Sequence, residues 1–586
     1  MNILLTAINA KYIHSNLAVY SLRACAGEYR DAVELAEYTI NNQKDYILEE
    51  LYKRKPDVLC FSCYIWNIDY VTDIAREYKK LCPSVPIWVG GPEVSYEVEA
   101  FLRENPYIDG VMIGEGEDTF RELCGYYAHK RKLSDIAGIA FRKNSTGNST
   151  SVNNIGGNKA GEIVFTSPRP IKNMSEIPFC YDTLDDFSNR IIYYESSRGC
   201  PFSCSYCLSS VDKTLRFRDT EIVKRELKFF IDQKVPQIKF VDRTFNCNHA
   251  HAMELWRFIK ANDNGVTNFH FEISADLLNQ EELELISDMR PGLIQLEIGV
   301  QSTNEVTIKE IHRTMKLERL KEVVKLIQSG NNIHEHLDLI AGLPYEDYDS
   351  FGRSFDEIYE LKPNQLQLGF LKVLKGSYMF EHAAEYGIVY HDKPPYEVMS
   401  TKWLSFDDVI KIKRVEEMLE VYYNSGQFEI TMKLMECIFD SAFEFFQELG
   451  DFYEANGYFG MSHSRIRRCE ILLEFLALYL HGCDSDAITS VGLSENAIDR
   501  DNTDFDENAI DRDNTDSDEN AQIYSMIQES LIFDLYYREN CKSRPRWAAD
   551  IGSFKHMTHA YCKNGKLSHV EPFHYIFPDK HTRKLD

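Results

Sequence analysis

Short apolar runs alternate with amphipathic stretches from the first residue to about position 144. The runs "NILLTAI", "VELAEYTI", "DVLCFSCYI", "PIWVGG" and "GVMIGEG" are rich in β-branched and aromatic residues and too short for helices, so they predict strands. Between them the apolar spacing predicts helices near 15–29, 43–53, 68–81, 95–104 and 117–127. This alternation predicts an α/β domain with a doubly wound, Rossmann- or flavodoxin-like parallel sheet, whose ligands sit outside the carboxyl ends of the strands. A polar stretch, "KNSTGNSTSVNNIGGNKAGE", then reads as a surface loop between the strands "GIAFRK" and "EIVFTS".

From about 190 to 376 the alternation resumes with "IIYYES", "QIKFVD", "NFHFEIS", "LIQLEIGV", "HLDLIAG" and "QLQLGFLKV", separated by helical patterns such as "TEIVKRELKFFIDQ" and "LERLKEVVKLIQS". Six such units predict a partial, TIM-like (β/α)6 barrel with its chemistry at the strand C-termini. Beyond about 400 the pattern turns mainly helical, as in "DDVIKIKRVEEMLEVYYNS" and "CEILLEFLALYLHG". The expected organisation is 1–135 for the first domain, 136–185 for a linker with short strands, 186–395 for the barrel and 396–586 for a helical C-terminal domain with a polar insert at about 485–521.

Charge and composition then exclude some classes of function. The formal net charge of −27 argues against a broad nucleic-acid surface, which needs basic residues in excess. Part of that charge is local: a twelve-residue unit is written twice from Glu495, and the two copies carry −8. Its alternating Asp residues resemble the start of an EF-hand loop, but the turn Gly is missing, so a solvated, disordered insertion is expected. No run approaches the roughly 18 uncharged apolar residues that span a bilayer. The N-terminus reads as a first strand and lacks the pattern of an export signal, so a cytoplasmic location is expected. In that reducing compartment the fifteen cysteines read as buried hydrophobes or metal ligands, not disulfides.

Three of them stand together. "SSRGCPFSCSYCLSS" places Cys200, Cys204 and Cys207 in one loop, at the C-terminal end of the first barrel strand. A four-iron cluster normally takes four thiolates, so three leave one iron open. Structural zinc needs four ligands; the loop holds no His, and the next cysteines, Cys180 and Cys247, are distant in sequence.

Cys200, Cys204 and Cys207, with Tyr206 before the last, resemble the signature of the radical S-adenosylmethionine superfamily. "FVDRTFN", "FEISADLL", "LEIGVQSTN", "DLIAGLPYED" and "LGFLKVLKGS" resemble the barrel segments of its cobalamin-domain members. The resemblance implies a 4Fe-4S cluster on the three cysteines, S-adenosylmethionine held at the open iron by its amino and carboxylate groups, and release of a 5′-deoxyadenosyl radical on reduction. It implies Tyr206 near the adenine, Glu272, Glu297 and Gln301 as S-adenosylmethionine contacts, and Gly342 and Pro344 shaping the fifth loop. Asp242 and Asn246 would face substrate or cap the helix near His249.

The first domain likewise resembles a corrinoid-binding domain. Ser62 would meet the cobalamin nucleotide tail, Gly90 and Gly91 would let backbone approach it, and the amides of Gly114, Glu115 and Gly116 would hold polar corrin groups. The Asp-x-His-x-x-Gly signature is absent, and His14 in "NAKYIHSN" is a candidate substitute. The resemblance implies cobalamin-dependent methylation or rearrangement of a small-molecule or unknown substrate, fed by a flavodoxin- or ferredoxin-type reductant, away from membranes. A non-catalytic corrinoid or redox sensor with a structural cluster, and a methylthiotransferase-like RNA-modifying enzyme, are the alternatives. The C-terminal region resembles an uncharacterised domain found after such barrels.

Overall fold

The computed structural model describes residues 1–143, 161–211, 213–481, 517–538, 544–548, 558–559 and 572–573. The acidic repeat and its EF-hand comparison lie outside the described residues, except that Ser517 and Asp518 open a helix. The chain divides into two compact units: Met1–Asp347 with Gly369–Leu404, and Tyr348–Leu368 with Ser405–Asp586.

In the first unit, a seven-stranded sheet runs in the order β2-β1-β3-β4-β5-β6-β7. Its strands are β1 (Ile3–Asn9), β2 (Val33–Thr39), β3 (Val58–Ser62), β4 (Ile87–Gly90), β5 (Gly110–Met112), β6 (Ile139–Arg142) and β7 (Ile163–Phe165). β1 to β5 are parallel. β1 is buried along its whole length, as a strand covered on both faces must be, which is why it reads as an unbroken apolar run. Helix Ile68–Leu81 buries Ile68, Val71, Ile74, Ala75 and Tyr78, a stripe at three- and four-residue spacing that packs on Phe61 and Val89 in the same core. β6 and β7, from the segment read as a linker, extend this sheet as antiparallel strands. With β1 between β2 and β3, the crevice at the carboxyl ends of β1 and β3 is the topological switch point where ligands settle.

The second sheet has the order β15-β14-β13-β12-β11-β8. It comprises β8 (Ile192–Tyr194), β11 (Gln237–Phe240), β12 (Asn268–Ile273), β13 (Ile294–Gln301), β14 (His334–Ala341) and β15 (Gln365–Phe370). From β8 to β14 every neighbouring pair is parallel. Along β13 the period of two buries Ile294, Leu296, Ile298 and Val300 fully, and sets Glu297, Gly299 and Gln301 on the opposite, half-buried face. That alternation aims the polar residues of the strand at the site.

The second unit is mainly helical where it is described, with a short antiparallel pair of strands, Thr558–His559 and Pro572–Phe573. Helix Tyr348–Tyr359 packs on helix Ala442–Ala455, with Phe355 5.5 Å from Phe443 and 6.0 Å from Phe446 between ring centroids. Asp356 accepts hydrogen bonds from Ser441 Oγ at 2.7 Å and Phe443 N at 2.8 Å, tying the two helices at the start of the second. Among the described residues no helix is long and apolar enough to cross a membrane.

Candidate active site

The cysteine loop is held at its base and at its apex. Ser197–Arg198 (β9) pairs antiparallel with Arg216–Phe217 (β10), closing the base of the loop. At the apex Ser205 N donates to Ile311 O, and Ser205 O accepts from Met379 N, both at 2.9 Å. Asp242, at the end of β11, accepts from Ser196 N at 2.8 Å, Ser196 Oγ at 2.7 Å and Ser197 Oγ at 2.5 Å. Asn246 bridges to the next loop in the same way, accepting from Ser274 N at 2.9 Å and donating to Ser274 O at 2.8 Å. Asp242 and Asn246 thus brace loops, and the helix beginning at His249 is capped by Asn248.

Cys200 and Cys204 are buried, and Cys207 is half-buried. Burial pushes the Cys200 thiol up, and the nearness of Cys207 and Cys204 adds to the rise. Among the described residues no three His, Cys, Asp or Glu side chains converge on a single ion. A cube-shaped cluster asks for more widely set sulfurs than one ion does, and a loop offering three thiols is the donor set it needs. Cys247 lies close enough for Cys200 to raise its thiol, after burial, to about 11.

Beside Cys204 is a cavity of about 140 Å3 lined by Phe202, Arg243, Thr244, Glu272, Ser274, Glu297, Gly299, Gln301, Arg313 and Asp338, among others. The structure therefore brings Cys204, Glu272, Glu297 and Gln301 together. Burial works to raise the Glu297 carboxyl, but His270 at 3.0 Å and Lys239 at 2.8 Å outweigh it and hold it at about 2. Glu272 has no such partner; burial and then Glu297 push its carboxyl up. Gln301 adopts φ +77°, an uncommon conformation for a residue with a Cβ, at an irregularity in the β13–β14 register. Its Oε1 and Arg313 Nε are buried with no hydrogen-bond partner. An orphaned acceptor and an orphaned donor in one small cavity fit the ammonium and carboxylate of S-adenosylmethionine.

Tyr206 packs against Arg313, whose Nη1 lies 3.2 Å from the phenol oxygen and 3.9 Å from Cys204 Sγ, while its Nη2 donates to Gly299 O. Gly342 takes φ +87° where a Cβ would come within 2.6 Å of Val398, and Pro344 O accepts from Thr307 Oγ1 at 2.9 Å. Both residues shape the fifth loop and do not line the small cavity.

A second cavity, of about 720 Å3, opens at the switch point. Asn9, Ser62, Gly90 and Met112, the last residues of β1, β3, β4 and β5, all line it, together with Gly91, Gly114 and Gly116. At Gly91, φ +122°, a Cβ would stand 2.3 Å from Cys63 O, so its glycine permits a close approach of two strand ends. At Gly114 the missing Cβ faces open space, the kind of cradle a bulky planar ligand fills. Glu115 does not line the cavity; its carboxylate lies 2.6 Å from Arg216 and 3.4 Å from Arg198 and accepts from Lys172 N. His14 lines it, and His14 Nδ1 is 2.7 Å from Tyr193 Oη. Tyr193, Lys239, Arg243 and Glu272, from the barrel strands and the loop after β11, also line this larger cavity.

Arg243 and Glu272 line both cavities and so mark the place where they meet. Sequence reasoning missed Arg243, Arg313 and Asp338. Arg313 lies outside every quoted segment, whereas Asp338 opens the quoted "DLIAGLPYED" and reads there as one alternating residue of an ordinary strand. Arg243 stands inside the quoted "FVDRTFN", where its charge was the available signal.

Three family models match in sequence: B12 binding domain over residues 3–124, Radical SAM superfamily over 194–358, and Protein of unknown function (DUF4080) over 384–583. Among curated proteins the chain is 28% identical to the cobalamin-dependent radical SAM methyltransferase TokK of Streptomyces tokunonensis, over 58% of this chain and 49% of that one. It is 27% identical to the 2-(S-pantetheinyl)-carbapenam-3-carboxylate methyltransferase of Streptantibioticus cattleyicolor, over 52% and 45%. The chain thus spans about half the length of these two relatives. The solved structure of the cobalamin-dependent S-adenosylmethionine radical enzyme OxsB, with aqua-cobalamin and S-adenosylmethionine bound, matches with a TM-score of 0.56 at 15% identity, covering 91% of this chain and 80% of that one. TsrM from Kitasatospora setae, with cobalamin and a 4Fe-4S cluster bound, matches with a TM-score of 0.52 at 17% identity, covering 68% and 82%. The chain thus carries a B12 binding domain ahead of a radical SAM superfamily domain in sequence, and it shares its fold with cobalamin-dependent radical enzymes.

Proposed function

We propose that the protein is a cobalamin-dependent radical S-adenosylmethionine enzyme that methylates, or otherwise remodels through a radical, an unactivated carbon of a small molecule. The observation that carries this reading is the wall shared by the two cavities at Arg243 and Glu272. A substrate lodged there faces both the small cavity beside the cysteine loop and the large one on the first sheet.

In this reading Cys200, Cys204 and Cys207 hold a 4Fe-4S cluster, the small cavity holds S-adenosylmethionine, and the large cavity holds cobalamin. Bound there, these groups supply a 5′-deoxyadenosyl radical to take a hydrogen atom and a methyl group to replace it. The chain's own work is positioning and exclusion. Glu272 and Gln301 Oε1 accept from the ammonium, Arg313 Nε donates to the carboxylate, and Glu297, fixed by Lys239 and His270, keeps the floor of the site charged and ordered. A reducing cytoplasm and a flavodoxin- or ferredoxin-type donor suit this chemistry.

The test is anaerobic reconstitution with iron, sulfide and cobalamin, followed by reduction in the presence of S-adenosylmethionine. The expected product is 5′-deoxyadenosine. Cys204→Ala is expected to lose both the cluster absorption and the product, whereas Cys247→Ser retains both. Full cleavage by Cys204→Ala, or no 5′-deoxyadenosine from the native enzyme, would falsify the assignment; the latter result favours a redox sensor.

A further inference from the structure

Four cationic side chains other than histidine line the large cavity: Arg198, Arg218, Lys239 and Arg243. Three are already neutralised. Arg198 lies 2.8 Å from Glu117 and 2.7 Å from Glu195, Arg218 lies 2.6 Å from Glu226, and Lys239 lies 2.8 Å from Glu297. Arg243 is exposed to the cavities, and among the described residues its guanidinium has no ion pair or hydrogen bond. Glu272 stands near enough to feel its charge but forms no ion pair with it.

We propose that Arg243 anchors an anionic group of the substrate, a carboxylate or a phosphoryl group, at the junction of the two cavities. The inference rests on the function proposed above and narrows it to a class of substrate. Ligands filling both cavities strip water from the junction, and a guanidinium left there without a counter-charge is costly. A substrate oxyanion removes that cost through the planar, two-pronged geometry that guanidinium offers to carboxylate and phosphate. The orphaned Arg313 Nε already provides a donor for the S-adenosylmethionine carboxylate, which leaves Arg243 for a different anion. A neutral substrate would leave Arg243 without an ion-paired partner, since Glu272 beside it is taken by the ammonium of S-adenosylmethionine in the function proposed above.

The experiment uses the anaerobically reconstituted full-length protein with cob(II)alamin, an oxidised cluster and S-adenosylmethionine. The probes are methylphosphonate and acetate, with neutral dimethyl sulfone as control, and the readout is paramagnetic broadening of their methyl proton resonances. Both anions are expected to broaden with the native protein, and the sulfone is not. In Arg243→Gln the broadening falls at least about tenfold, and in Arg243→Lys part of it returns, while cobalamin content and S-adenosylmethionine affinity stay within about twofold. Equal broadening in Arg243→Gln, or none with the native protein, overturns the proposal. So does loss of cobalamin or S-adenosylmethionine binding in both variants, which would assign Arg243 to a cofactor. Formation of 5′-deoxyadenosine by the native protein, measured on the same preparation, separates a failure here from a failure of the enzymatic reading.

Discussion

Arg313 touches the cysteine loop from a turn that no motif in the chain points to. With Nη1 3.9 Å from Cys204 Sγ, its positive charge favours an added electron on any cluster held there. Arg313→Gln is therefore expected to lower the cluster's midpoint potential and to cut 5′-deoxyadenosine formation roughly 10–100-fold, with Arg313→Lys restoring part of the potential; a redox titration followed by EPR checks this. Two buried groups around Ser196 make opposite pH predictions. Burial raises the Asp242 carboxyl from 3.8 to about 7, so the folded protein holds that proton more tightly, and the stability so gained is full below pH 4 and lost as pH rises to 7. Burial lowers His251 from 6.5 to about 4, so its contribution is present above pH 6.5 and lost as pH falls toward 4. The stability difference between native protein and Asp242→Asn should shrink from pH 4 to 7. That between native protein and His251→Gln should grow from pH 4 to 6.5. Each slope is at most about 1.4 kcal/mol per pH unit, read from denaturation midpoints. The cysteine loop was legible from its spacing, whereas the placing of Glu272 and Glu297 beside Cys204 was legible only through the resemblance of their strands to the barrel segments of the superfamily. The partners of Glu297, Lys239 and His270, were not legible, because only the assembled sheet brings residues of three different strands together.

Strands and helices of the first sheet and the barrel were legible because their apolar periods differ and their ends carry turn residues. Helix Ile68–Leu81 has the predicted bounds, while β1 to β5 form the expected parallel set. The attachment of β6 and β7 was not legible, since short strands flanking a polar loop say nothing about which edge they will join. Just past the end of β4, the reason for Gly91 lies in a contact with the end of β3 that local sequence does not reveal. A Cβ there meets the carbonyl of Cys63 at 2.3 Å in a backbone conformation other residues avoid. Gly91→Ala is expected to cost about 1–3 kcal/mol, measured as a fall in Tm, and to reduce the cobalamin retained after gel filtration.

At the scale of the whole molecule, the sequence families and the compact units are cut differently. The radical SAM match runs to residue 358, yet Tyr348–Leu368 packs in the second unit, and the first unit resumes at Gly369. Helix Tyr348–Tyr359 buries Phe351, Phe355, Ile358 and Tyr359, and its neighbours Phe443 and Phe446 come from beyond Ser405. A fragment ending at Leu404 would leave these side chains without that cover, at roughly 1.5–3 kcal/mol for each large apolar group, and is expected to aggregate, as light scattering would report. A fragment starting at Ser405 lacks the same helix and is expected to be insoluble for the mirror-image reason.

This threading has a consequence for recombining such proteins. A hybrid that exchanges tails with a relative at Leu404 mates an incoming counterpart of helix Ala442–Ala455 with a resident helix, Tyr348–Tyr359, whose packing face was shaped for a different partner. Only a cassette that also carries Tyr348–Leu368 transplants the unit intact, so the swap requires three splice points instead of one.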